Sequence, residues 1–287
     1  MSSSTPNKHL KLEINIGDQL TTISCGHVVA ELIKFIAYQR LQIPYTYPWL
    51  KQLITKRKEL DHENRKESFQ SEKHFRTAET ALKNLDLILK SLLLEINSPS
   101  MPDEVCIILG ATPITCKEVY RLILPATCHR PQCHSSLIAS DQKIHRNVFR
   151  AVVTSEKLNE MFLNTLAPTN MFVFLKKRTF NDQDALLDTS NYSFTSGHRI
   201  PASSRIIVIN FRTGNTENFS CCNEFKIFSD VSTTDIGIED SFNENCEELN
   251  EIESTDTIKW YQSSYVMKGF KDCIVNGSSI TNTWMSS

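Results

Sequence analysis

The chain has 287 residues, 40% of them hydrophobic and 22% charged, which suits one substantial core or at most two small ones. A formal net charge of −2 gives no global field favouring nucleic acid or membrane, so binding to either would need a local basic patch. The longest apolar runs, 105–109 and 171–175, are far too short to span a bilayer. The opening MSSSTPNKHLKLEINIG has no apolar stretch of signal-peptide length, so a soluble chain made in the cytosol is expected. The nine cysteines are odd in number and irregular in spacing, which in that compartment reads as reduced thiols, several of them buried.

Residues 1–9 are polar and are expected to be a disordered tail. Residues 11–16 alternate Leu12, Ile14 and Ile16 with polar neighbours, a strand pattern. A first helix is predicted over 26–42, with Val29, Leu32, Ile33 and Ile36 at helical spacing and Pro44 ending it. Residues 51–76 hold eight Lys/Arg and five Asp/Glu, are poor in aromatics, and read as a solvated loop (51–68) rather than a nucleic-acid patch. Phe75, Ala78, Leu82, Leu85, Leu89, Leu92 and Ile96 then recur at alternating steps of three and four, one apolar stripe on a long helix. That stripe suits a core helix better than a coiled coil, because strand-like runs follow at once.

The run 105–109, closed by Gly110, predicts a buried central strand. Residues 115–124 form a short helix or strand before Pro125. A third helix is predicted over about 137–158, with Ile144, Val148, Ala151 and Val152 on its inner face. The β-branched and aromatic runs 171–176, 205–211 and 258–267 read as strands. Between Lys226 and Lys259 there is no Lys or Arg, while ten Asp/Glu fall in 230–256, which reads as an acidic disordered insert. Residues 273–287 are expected to be a flexible tail. The whole is one α+β domain over 10–272, three helices on a largely antiparallel sheet.

Enzymatic signatures are scarce. Cys128, His129, Cys133 and His134 are soft ligands within seven residues, but adjacent Cys-His pairs point apart in extended chain. No second pair stands at finger spacing, so no metal site and no other cofactor is expected. Walker, Gly-x-Gly-x-x-Gly, Gly-x-Ser-x-Gly and His-Glu-x-x-His motifs are missing, and the chain is read as non-enzymatic. Binding features are stronger. Phe149 lies about 100° of arc beyond Val148, off the inner stripe, where a large aromatic is either an edge-of-core residue or an interface anchor. Gln39 stands at a similar boundary of the first helix.

The stretches A-E-L-I-K-F-I-A-Y-Q-R-L-Q-I-P (30–44), V-C-I-I-L-G (105–110), C-K-E-V-Y (116–120) and R-N-V-F-R-A-V (146–152) resemble the comet family of Mad-two (Mad2)-binding proteins, which silence the spindle checkpoint. H-R-I-P (198–201), R-I-I-V-I (205–209) and W-Y-Q-S-S-Y-V-M-K-G-F-K-D (260–272) follow in the family's order. The resemblance implies a HORMA-like fold with a C-terminal safety-belt region. It implies docking on the closed conformer of Mad2 through the third helix, and presentation of Mad2 to an AAA+ ATPase of the Pch-two class that opens it. It also implies residence in nucleus and cytoplasm, with spindle or kinetochore association in mitosis. By residue match the family's contact positions fall on Gln39 and Phe149, with Arg146 and Val153 on the same outer arc. The segment aligned with the family's ATPase-contacting loop, 191–195, lacks its Pro-Lys pair. The runner-up is another HORMA module, one that clamps a peptide by strand addition.

Overall fold

The computed structural model describes residues 8–16, 20–62, 68–125, 127, 141–179, 191–196, 200–213 and 257–285. The acidic insert 230–256 and the cysteine-histidine loop 128–134 lie outside them, as do residues 1–7. Strands β1 (His9–Asn15), β2 (Glu104–Gly110), β3 (Cys116–Ile123), β4 (Asn170–Thr179), β5 (Tyr192–Thr195), β6 (Arg205–Arg212), β7 (Thr257–Ser263) and β8 (Met267–Lys268) form one sheet. Its order is β1-β6-β3-β2-β4-β7-β5, with β8 beside β4. Pairing is antiparallel except where β6 runs parallel to both β1 and β3. The mixed α+β architecture and the mainly antiparallel sheet expected from the sequence are both present.

β2 is buried along its whole length because both its faces are covered. Val105, Ile107 and Leu109 point into the main core, and Cys106 and Ile108 into a second apolar layer with Val119, Phe172 and Phe174. Helices α1 (Thr22–Gln39), α3 (Phe69–Ile96) and α4 (Asp141–Thr154) bury their inner faces in the main core. All seven residues of the predicted α3 stripe are buried.

β1 begins at His9, inside the tail expected over 1–9, and four further boundaries differ from the expectation. The mixed-charge segment expected as a loop is helix α2 (Tyr47–His62), followed at Phe69 by the start of α3; 63–67 lie outside the described residues. Leu50, Leu53, Ile54 and Arg57 lie at helical spacing and are buried, and the abundant charges mask that stripe. α1 begins at Thr22, where the Thr21 hydroxyl accepts the Ser24 N–H (3.0 Å). The third predicted helix is two helices, α4 and α5 (Glu156–Leu163), because Ser155 is extended and caps α5 by accepting the Leu158 N–H.

The fourth correction concerns the expected flexible tail. After Phe270 the chain forms a small hairpin, β9 (Ile274–Val275) and β10 (Ser278–Ser279), turned by Asn276 and Gly277 at φ 49° and 80°. Helix α6 (Asn282–Met285) then drives Trp284 into the core. Its indole N–H donates to Ser71 Oγ (2.9 Å), and its ring packs near His74 and Phe75. Ser/Thr/Asn-rich composition suggests fraying, but one buried tryptophan outweighs it.

Candidate protein-binding surface

α4 is strongly amphipathic. Ile144, Val148 and Val152, four residues apart, are fully buried, which fixes the rotation of the helix. Arg146, Phe149 and Val153 therefore fall on one outward line at steps of three and four. Arg146 and Val153 are exposed and Phe149 is half-buried. The Phe149 ring meets Phe35 of α1 edge-on (5.8 Å between centroids) and stacks on His145 (6.3 Å). Phe35 also touches Phe162 of α5 (6.2 Å). Phe149 is thus an edge-of-core aromatic that packs on the core and stays half-buried.

Gln39 lies one turn beyond Phe35 on α1, on the same side and exposed. Phe35, one turn before Gln39, is the α1 residue whose ring meets Phe149.

The sequence reading missed what holds that face in place. Arg40 is almost completely buried, although it sits between exposed Gln39 and Leu41. Its guanidinium donates to both oxygens of Glu118 on β3 (2.9 and 2.8 Å) and to the carbonyls of Phe162 (3.2 Å) and Asn164 (2.7 Å). It also lies over the Phe162 ring. Tyr120 Oη donates to Glu118 (2.9 Å), and burial, then the Glu118 charge, pushes that phenol's pKa well up. One buried ion pair thus ties α1, β3 and the end of α5 together. Glu118 is itself buried, and a buried carboxylate needs a cationic partner such as Arg40.

The α1 terminus is the second missed feature. The Gln42 N–H donates to Ala37 O (2.8 Å) and the Leu41 N–H to Tyr38 O (3.0 Å), a Schellman motif. Leu41, not glycine, occupies its left-handed position, at φ 54°. α1 therefore ends before Pro44, and Tyr38, Gln39 and Leu41 are turned outward while Arg40 and Gln42 are turned in.

The segment 191–195 is mostly strand β5, hydrogen-bonded to β7, with Tyr192 buried and Phe194 exposed against Tyr261. Among the described residues no cluster of His, Cys, Asp or Glu could hold a metal ion. No described helix is long and apolar enough to cross a membrane. A family model described as p31comet, Mad1 and Cdc20-bound-Mad2 binding, matches residues 8–200 of the 287. No curated protein matches the chain.

Proposed function

The chain belongs to the p31comet family, and from that premise we propose that it is a non-enzymatic adaptor that docks on the closed conformer of Mad2 through α4 and the end of α1. The observation that carries this reading is the contact of half-buried Phe149 with Phe35, one turn before Gln39, with Gln39, Arg146 and Val153 all exposed. Phe149 supplies the apolar anchor, and Gln39 a polar group that orients the partner. In this reading the adaptor presents Mad2 to an AAA+ ATPase of the Pch-two class, which opens it and silences the spindle checkpoint. It acts in nucleus and cytoplasm and at the mitotic spindle or kinetochores. β5 lacks a Pro-Lys pair, so ATPase recruitment is assigned to other groups.

The peptide-clamp alternative needs the C-terminal strand to release. β7 is bonded on one side to β4 and on the other to β5, and the chain beyond it is anchored by Trp284, which favours the adaptor. The test is a sizing-column mixture of the chain with closed Mad2, with and without the ATPase. A stable one-to-one complex is expected; no complex at micromolar concentration overturns the reading.

A further inference from the structure

We propose that the docking surface continues past Gln39 around the end of α1, where Leu41 and an adjoining cavity of about 480 Å³ receive one apolar side chain of the same Mad2 partner. This inference rests on the adaptor reading above and adds to it a second anchor point.

Leu41 carries the first observation. Its backbone is left-handed, which β-carbon-bearing residues disfavour and which glycine fills in most Schellman motifs. Its side chain is 47% exposed, so burial in the chain's own core does not offset that strain. A strained residue that displays a large apolar group next to a cavity is poised for contact with something else. Gln39, two residues earlier, already belongs to the candidate face, so the same partner reaches both.

The second observation is that the cavity is preformed. Besides Leu41, its apolar wall is Pro44, Leu166, Ala167, Pro168 and Phe270, and Thr165, Lys271 and Asp272 complete the lining. Three separate chain segments meet there around a single fully buried amide, Gln42. Its Nε2 donates to Arg40 O (2.6 Å), its Oε1 accepts the Thr169 N–H (2.7 Å), and its main-chain carbonyl accepts the Phe270 N–H (3.0 Å). Gly269 closes the junction: its N–H donates to Thr169 O, and a β-carbon there would lie 2.8 Å from both Gln42 Oε1 and Thr169 O. Arg40 fixes the other side through Asn164 O. A wall held this way loses little freedom on binding, which favours affinity. The chain's own tail does not fill the cavity, since α6 packs Trp284 against α3 near Ser71 and Phe75 instead.

The experiment titrates the full chain onto closed Mad2 by calorimetry, with Phe149→Ala as reference and thermal unfolding measured in parallel. Leu41→Gly relieves the strained backbone, so its unfolding midpoint is expected to hold or rise while its Kd weakens about tenfold. Ala167→Trp, which plugs the cavity from an exposed position, is expected to weaken binding comparably with the fold intact. If both variants bind like wild type while Phe149→Ala binds weakly, the cavity claim is overturned and the adaptor reading survives. If wild type does not bind, both fall. If Ala167→Trp instead abolishes a concentration-dependent dimer of the chain, the occupant is a second copy and the assignment to Mad2 is wrong.

Discussion

Replacing Arg40 by alanine separates support from contact within the Tyr38-Gln39-Arg40 motif. The substitution deletes two charge-assisted bonds to Glu118 and two to the carbonyls of Phe162 and Asn164. It leaves the Glu118 carboxylate buried, with Tyr120 Oη at 2.9 Å and Arg205 Nη1 at 3.6 Å as its remaining partners among the described residues. Breaking a buried pair by removing one partner costs about 3–5 kcal/mol, and the residual help from Tyr120 and Arg205 places this case near the lower end, about 3 kcal/mol. For a chain of this size that corresponds to a midpoint lowered by roughly 5 °C. Denaturant unfolding of Arg40→Ala, of Arg40→Met, of Glu118→Leu and of the Arg40→Met, Glu118→Leu pair measures it. The paired replacement should cost far less than the single ones added together, because it orphans no charge. Gln39→Ala, at an exposed position, should stay within about 0.5 kcal/mol of wild type. An Arg40→Ala loss under about 1 kcal/mol, or strict additivity in the pair, would refute the claim that this ion pair supports the α1 end.

Trp284→Ala removes the tail's only fully buried ring and its hydrogen bond to the Ser71 hydroxyl, and should cost about 3–5 kcal/mol by denaturant unfolding. A frayed tail would give almost no change. Gly110→Ala should cost about 1–3 kcal/mol, since a β-carbon there would sit 2.5 Å from Cys116 Cα and 2.8 Å from Thr115 O, both backbone atoms that cannot yield. His74, buried between Phe270 and Trp284, has its pKa lowered by burial, with Asp272 opposing. The unfolded chain therefore takes up the proton first, so stability should fall as pH drops below about 6.5 and level off below the folded-state value. Unfolding free energies between pH 7.5 and 5.5, with and without His74→Gln, check the sign; a profile unchanged by the substitution counts against it.

Where one periodicity dominated, the fold was legible. The α3 stripe, the all-buried β2 and the inner face of α4 each follow from apolar spacing alone, because each element presents a continuous face to the core. Legibility failed where a few residues outweigh composition. α2 hides Leu50, Leu53 and Ile54 among lysines, and the tail hides Trp284 among serines, threonines and asparagines. Ser155 splits the third helix by a local cap that no long-range pattern announces. At the candidate face, Phe149 and Gln39 could be flagged by their angular position. Arg40 and Gln42 could not, because their burial depends on Glu118 and Thr169, which only the folded chain brings near.

The central claim is that α4 and the end of α1 together form a docking face for closed Mad2. The most direct test is the dissociation constant of the purified chain for closed Mad2, compared with a Phe149→Ala, Gln39→Ala variant whose unfolding midpoint stays close to that of wild type. A one-to-one complex weakened 30- to 1000-fold in the variant, about 2–4 kcal/mol, is the expected result. Equal affinity for wild type and variant would place the docking face elsewhere on the molecule.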